Sequence, residues 1–560
     1  MEPERSAEPT DRPRTGVARF LPSLRDYDGV GRSWRRDVVA GATVGVVALP
    51  LALAFGITAG LSAEAGLVTA IVAGVVAAVF GGSNVQVSGP TGAMTVVLVP
   101  LVAQHGPDAV IVVGLIAGVL IVAAAFARLG RYLAYVPWPV VEGFTVGIAV
   151  IIFLQQVPAA LGVAKPEGEN AAAVAARAVL DAATHVSGAT VAVTVLTVAL
   201  LVGLPRLHRS VPAPLIGVVA ATALTQLLDL DVAVIGAMPD SLPLPALPST
   251  SLSELRPLFS AGLAVAILAS LESLLSAKVA DGMAGGRRHD PDRELFGQGL
   301  ANLVSPLFGG LPATGAIART AVNVRAGATT RLASIVHSLV LVAVVFFASG
   351  LVGRIPLAAL AGVLMVTAAR MVEVHNVRAV LRATRSDAAV LVLTALATVA
   401  FDLILAVEIG IATAAVLALR KVAQTMTATP EVVEDPDARD GATALLDEGI
   451  ISYRLDGALF FGAAQRFLTE LTSVSDARVA ILRLPDLQVL DATGAQALGE
   501  IVSELEDRGI TVLLKGPRPE HLRVLGSVGV LDRLAHQNHL FADLPSALDH
   551  ARRHAGRAAA

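Results

Sequence analysis

The chain contains no cysteine, which excludes disulfides and thiolate metal sites and leaves the redox compartment open. It is also poor in charge. Only 16% of its 560 residues are Asp, Glu, Lys or Arg, against about 25% in an ordinary soluble domain. That scarcity overrules a reading of this length as several soluble domains. The formal net charge is −4, and no basic stripe stands out beyond short clusters beside apolar runs, so no nucleic-acid partner is expected. Residues 1–27 are polar and rich in Pro and Arg, unlike a secretory leader. No nucleophile–base constellation or metal-ligand cluster in the sequence supports an enzyme. The reading therefore names no catalytic residue, no metal and no cofactor, and expects no enzyme.

What the chain has instead is apolar length. Hydrophobic residues make up 54% of it, and the mean hydropathy is +0.70. A membrane helix needs roughly 20 apolar residues to cross about 30 Å of hydrocarbon. Runs of that kind recur between residues 38 and 424, and the first, 38–58, carries no charge. Positive charge beside the runs sets the orientation. Arg25, Arg32, Arg35 and Arg36 precede the first, which puts the N-terminus in the cytoplasm. Later clusters centre on Arg128, Arg206, Arg288, Arg325, Arg378 and Arg420. All fall on the same side if the chain crosses fourteen times, counting two short segments that begin near Thr91 and Thr314. The loops at 163–184 and 230–257 are poorer in Arg and Lys, which makes them external.

After Lys421 the character changes. Residues 431–440 are acidic, Pro-containing and poor in apolar groups, as a linker is. Strand-like runs follow at 450–455, 458–461, 479–484 and 510–514, with helical patterns at 463–471, 492–508 and 518–525. Such alternation predicts a compact α/β domain. The expected organisation is a cytoplasmic N-terminal segment (1–34), a transmembrane domain (35–424), a linker (425–446), a cytoplasmic α/β domain (447–553) and a tail (554–560).

Two stretches echo each other. Phe80-Gly81-Gly82 precedes Gly89-Pro90-Thr91-Gly92-Ala93, and Phe308-Gly309-Gly310 precedes Pro312-Ala313-Thr314-Gly315-Ala316. The Thr-Gly-Ala triplets at 91 and 314 are offset by 223 residues, and Ala40-Gly41 repeats as Ala261-Gly262 at an offset of 221. Seven crossings per half is an odd number, so the second half must be inverted. Inverted repeats with short Gly/Pro-interrupted segments mark the binding site of a transporter. Pro90 and Pro312 donate no backbone hydrogen bond and disfavour helix just before them. Half-helices starting beyond them would present free N–H groups and partial positive charge near the bilayer midplane, where two such ends make an anion site. Taken singly, each motif also fits a kink in packed helices.

Few ionisable residues lie inside the apolar runs. Glu272 does, and a carboxylate there costs several kcal/mol unless it is paired or protonated, which makes it a candidate for ion coupling. Ser276 lies one turn further along the same face. Glu294, Gln298 and Asn302 recur every four residues on one helical face, which suits a polar seam between helices as well as ligand contact. Arg319, a turn into the second half-helix, would reinforce an anion site or pair with Glu294 or Glu272. Phe55, beyond Pro50, could wall the site.

The chain resembles the sulfate permease (SulP) family of anion transporters, to which prestin also belongs, from Arg35 to about Ala547. The resemblance rests on Val47-Ala48-Leu49-Pro50 with Phe55, Ser88-Gly89-Pro90-Thr91-Gly92, Glu272-Ser273-Leu274-Leu275-Ser276, and the run from Glu294 through Gln298 and Asn302 to Arg319-Thr320-Ala321-Val322-Asn323. It implies fourteen membrane segments as 7+7 inverted repeats with core and gate domains, a homodimer in membrane lipid, and elevator-like alternating access. It also implies a multi-pass protein of the bacterial inner membrane whose C-terminal unit is a cytoplasmic STAS domain. The small inorganic or organic anion then lies against Phe55, Thr91, Gly92, Gly315, Ala316 and Arg319. Glu272, with Ser276, takes the position linked to cation coupling. Ile317 stands where sodium-coupled bicarbonate relatives carry a hydroxyl, so a co-transported proton is preferred to sodium. Sulfate and C4-dicarboxylates are the preferred substrates. The other readings are a sodium-coupled bicarbonate transporter, and a channel-like or sensor membrane protein. In the STAS domain, Thr493 matches the position of a phosphorylatable serine, although a Thr there also suits a helix cap.

Overall fold

The structure, a computed structural model, describes residues 16–131, 137–168, 170–207, 212–248, 255–284, 288–401, 403–423, 427–430, 449–460, 477–534 and 539–557. It forms two compact units that divide between Ile411 and Ala412, inside the last membrane helix rather than at the linker.

The first unit is helical. Its first half holds α1 (Val30–Thr58), α2 (Ala63–Phe80), α3 (Gly92–His105), α4 (Ala109–Phe126), α5 (Trp138–Gln155) continued by α6 (Val157–Leu161), α7 (Ala171–His185), α8 (Gly188–Leu207) and α9 (Ala213–Leu227). Its second half holds α10 (Leu255–Ala284), α11 (Pro291–Leu307), α12 (Ile317–Arg325), α13 (Leu332–Val352), α14 (Leu357–Met371), α15 (Val374–Ala383) and α16 (Arg385–Ala400). The last helix, α17 (Leu403–Ala423), straddles the division. Eight of the described helices are long and apolar enough to cross a membrane, while α3 and α9 are apolar but shorter. With α7 and α15 set aside as connectors, the segments number seven and seven.

The packing reproduces the repeat. Helix α1 packs on α2 and α13, and its counterpart α10 packs on α11 and α4. Likewise α2 meets α13 as α11 meets α4, and α1 meets α12 as α10 meets α3. A second group obeys the same exchange, with α5 on α16 and α14 on α8. Swapping the halves maps each of these contacts onto another, which is the signature of an inverted repeat; the two groups are core and gate. Small residues allow the closest crossings. A Cβ on Gly66 of α2 would stand 1.9 Å from the Ala52 carbonyl of α1, so only glycine fits there.

The second unit is an α/β sandwich. Strands β3 (Thr427–Pro430), β4 (Ile450–Leu459), β5 (Val479–Arg483), β7 (Thr511–Lys515) and β8 (Leu540–Phe541) lie in that order, and β6 (Leu487–Leu490) pairs with the end of β4. All these pairings are parallel except β3 with β4. Side chains of β5 alternate between two cores, as a strand covered on both faces requires. Ala480 and Leu482 pack with Leu498, Ile501 and Leu505 of α18 (Ala492–Asp507), whereas Val479 and Ile481 pack with Ala547, Leu548 and Ala551 of α20 (Leu544–Arg557). A shorter helix, α19 (Pro519–Ser527), completes the unit.

Several expected boundaries move. The run at 450–455 and the first two residues of the run at 458–461 form one strand, because Gly457 at φ 97° carries a bulge where β4 changes partner from β5 to β6. Four residues expected in the linker form β3. Helix α20 runs into the expected tail, since its apolar stripe continues to Ala555. The helix expected at 463–471 and the linker residues 431–440 lie outside the described residues.

Candidate functional site

The chain leaves α2 through Gly81 and Gly82 and becomes extended before Pro90. There β1 (Ser88–Gly89) pairs antiparallel with β2 (Thr314–Gly315), Ser88 opposite Gly315 and Gly89 opposite Thr314. The repeat thus meets itself at its two interrupted segments. Helix α3 begins immediately after Thr91, as the spacing predicts. Helix α12 begins at Ile317, three residues beyond the expected start at Thr314. Thr314 and Gly315 are held in the ladder, and the Ala316 N–H donates to the Val87 carbonyl at 2.9 Å, so helical turns cannot start sooner. Neither start has a side-chain cap: Ala316 has no polar group, and Thr91 caps nothing. First-turn N–H groups and the positive ends of two helix dipoles are therefore left at the crossing.

The Thr91 hydroxyl points the other way. It donates to Glu272 Oε2 on α10 at 2.9 Å, and Thr314 Oγ1 donates to the same oxygen at 2.7 Å. One carboxylate oxygen so ties both extended segments to a third helix. Next to it, Ser273 Oγ accepts the Gly315 N–H at 3.0 Å. A Cβ on Gly315 would stand 1.8 Å from Gln86 Nε2, so Gly315 and Gln86 share one small space.

Arg319 is 3% exposed. Its Nη2 donates to the Pro90 carbonyl, binding α12 to the opposite segment, while Nη1 has no hydrogen-bond partner among the described residues. Gly89 makes room for this guanidinium: a Cβ there would lie 2.6 Å from Nη1. The expected pairing with Glu294 is not made, because the Glu294 carboxylate accepts from the Gly82 and Ser83 N–H groups and from Gln298. Phe55 and Ile152 close over the start of α3. A Cβ on Gly92 would meet Ile152 Cδ1 at 2.1 Å and the Phe55 ring at 3.4 Å. Ile152 comes from α5, so the gate group reaches the crossing.

The polar face of α11 supports this crossing from behind. Gln298 donates to Ser88 Oγ in β1. Asn302 makes a two-way bond with Ala313, donating to its carbonyl at 2.8 Å and accepting its N–H at 2.9 Å. Backbone groups that a strand partner would satisfy are thus satisfied by a side chain. Ser276 is not at the carboxylate: its hydroxyl donates to Thr320 Oγ1 at 3.2 Å, which in turn accepts the Val87 N–H. In the second unit, Asp491 caps α18 by accepting the Gly494 N–H at 2.7 Å. Thr493 is therefore an exposed first-turn residue and not the cap.

Sequence reasoning passed over three buried polar residues of the first unit. Asp37 accepts from Ser33, the Thr329 N–H and both the N–H and hydroxyl of Thr330. Arg331 donates to Asn84 and to the Ala78 carbonyl. His337 is fully buried in α13. Arg331 counts in the sequence only as part of the positive cluster at Arg325, and Asp37, beside the first apolar run, gives no signal of its own. A lone His in an apolar run was the one signal available for His337.

Comparison with known proteins places the chain. Residues 34–394 match the Sulfate permease family, and residues 443–547 match the STAS domain. The chain belongs to the sulfate permease family. This is a family of membrane anion transporters, not enzymes. YvdB of Bacillus subtilis, provisionally named a sulfate transporter, is 34% identical over 90% of this chain and 96% of its own length. The bicarbonate transporter BicA of Picosynechococcus is 29% identical over 90% of this chain and 92% of its own. The solved murine Solute Carrier 26 family member A9, an anion transporter in the inward-facing state, superimposes with a TM-score of 0.83. It covers 99% of this chain and 100% of its own at 16% identity, a likeness of fold.

Proposed function

We propose that this sulfate permease moves sulfate or a C4-dicarboxylate across the bacterial cytoplasmic membrane together with a proton. The core carries the site past the gate in an elevator-like cycle within a homodimer, and the N-terminus and STAS domain face the cytoplasm. The observation that carries the reading is the pair of uncapped helix starts at one antiparallel crossing, with a buried Arg319 nitrogen left unpartnered beside them. Backbone N–H groups, aligned dipoles and one guanidinium stabilise an anion without a cluster of lysines. Phe55, Thr91, Gly92, Gly315 and Ala316 line the space, and Ile152 of the gate closes it. The two helix groups, each internally packed, support relative motion of core against gate.

Glu272 is the coupling residue. Its Oε2 accepts from a threonine on each side of the crossing, so its charge state is felt where the anion binds. Protonation there would convert an acceptor into a donor, weakening the ties of Thr91 or Thr314. The Ile317 side chain has no oxygen to offer sodium. A second reading, sodium-coupled bicarbonate transport, draws on the likeness to BicA and on the two hydroxyls that converge with the carboxylate. Proteoliposomes loaded with one labelled anion decide between them. Uptake should rise under an inward proton gradient, stay indifferent to sodium, and be competed by sulfate or C4-dicarboxylates. Uptake driven by sodium alone and competed by bicarbonate would select the second reading.

A further inference from the structure

The second unit holds a constellation that anion transport does not use. His539 lies one residue before β8, and His550 and His554 sit one turn apart on α20. The three rings gather with centroids 5.3, 5.3 and 4.8 Å apart. Ligand nitrogens from all three lie within 4.8 Å of one another. His539 is fully buried, and the two helical histidines are half-buried, so the cluster has a closed side and an open one. The helix presents Ala547, Ala551 and Ala555 to the sheet, and the histidines occupy the neighbouring stripe, which faces the β8 edge.

We infer that these three imidazoles form a site for a divalent transition-metal ion, zinc by ligand type. Imidazole suits zinc, copper and nickel, whereas magnesium and calcium take oxygen ligands. The spacing agrees with a tetrahedral ion. Zn–N bonds of about 2.0–2.1 Å set ligand nitrogens roughly 3.3 Å apart, and Nε2 of His550 stands 3.2 Å from Nε2 of His554. Bringing the third nitrogen from at most 4.8 Å to that spacing needs a closure of about 1.5 Å or less. Water fills the fourth position from the open side. Arg553 Nη2 lies 3.2 Å from His550 Nδ1. That ring must carry its proton on Nδ1 when Nε2 binds metal, so the exposed guanidinium swings away. A bound ion staples α20 to the start of β8, an edge strand whose own tie to the sheet is the two residue pairs Leu514–Leu540 and Lys515–Phe541.

The test uses the untagged full-length chain in detergent, stripped of metal by a chelator and titrated with zinc alone. We expect one saturable zinc per chain and a higher melting temperature when it is bound. Either His550→Gln or His554→Gln should weaken binding at least about tenfold, and the double variant should lose both the site and the zinc-induced stabilisation. Both substitutions fall at partly exposed positions, and an unchanged melting temperature without zinc confirms that the variants fold. Arg553→Ala, which alters no ligand, should bind zinc at least as tightly as the natural chain. No saturable zinc in the natural chain, or equal affinity and stoichiometry in the double variant, would overturn the site.

Discussion

At Glu272 one carboxylate oxygen accepts from Thr91 and Thr314, and an amide in its place keeps an acceptor oxygen for both hydroxyls. Glu272→Gln therefore separates holding the crossing together from exchanging a proton, which alanine would not. Charge at the periphery of the same unit behaves differently. Asp26 accepts from both terminal nitrogens of Arg293, at 2.8 and 2.7 Å, and from the Ser23 N–H. Burial alone would raise this carboxyl, but these bonds and the Arg293 charge outweigh it and bring it to about 2, below its ordinary 3.8. A folded value below the unfolded one means stabilisation that is complete above about 3.8 and lost as pH falls towards 2. Asp26→Asn should cost on the order of 2 kcal/mol at neutral pH, read as a lower melting temperature. That difference from the natural chain should shrink as the pH is taken below 4. A gap that stays constant down to pH 2 would contradict the ion pair's role.

Helix α11 shows how an element carries a crossing of extended segments from behind. On its polar face Glu294 and Asn302 meet backbone groups of the two extended segments, and Gln298 meets the Ser88 hydroxyl, where helix has given way. Asn302→Ala would orphan the Ala313 N–H and carbonyl together. At about 1–3 kcal/mol for each buried unsatisfied group, the transporter should melt well below the natural chain. Asn302→Asp keeps an acceptor for the Ala313 N–H but turns a buried carboxylate onto the Gln298 and Ala313 carbonyls, so it should melt no higher than the alanine variant. The sequence carried the periodicity of this face but not its target. Spacing of four identifies a stripe, whereas the partner sits eleven residues on, around a turn whose geometry depends on groups from the first half of the chain. The start of α12 was misplaced for a related reason. Proline and glycine announce that helix must stop, but the ladder that holds Thr314 and Gly315 extended is formed with residues more than two hundred positions away.

Across the whole molecule, what was legible was whatever repeats or alternates locally. Apolar length set the membrane segments, the offset of 223 between triplets set the inversion, and strand–helix alternation set the second unit. What was hidden depended on distant groups meeting. The convergence of Thr91 and Thr314 on one oxygen of Glu272, the space cut for Arg319 by Gly89, and the His539–His550–His554 cluster are all tertiary facts. Arg331 illustrates the same limit, since a cation beside an apolar run looks like an orientation signal until its buried partners are seen. The inverted repeat brings two interrupted segments together, and a single carboxylate from outside the crossing reports on both.

The most direct measurement of that account compares the natural chain with Glu272→Gln in proteoliposomes, following labelled sulfate in two modes. In counterflow, where anion exchanges for anion, the variant should retain transport, because the helix starts and Arg319 are intact. Under an inward proton gradient, the natural chain should accumulate anion and the variant should not. Proton-driven accumulation that survives in Glu272→Gln would contradict the assignment of coupling to the carboxylate that joins the two halves.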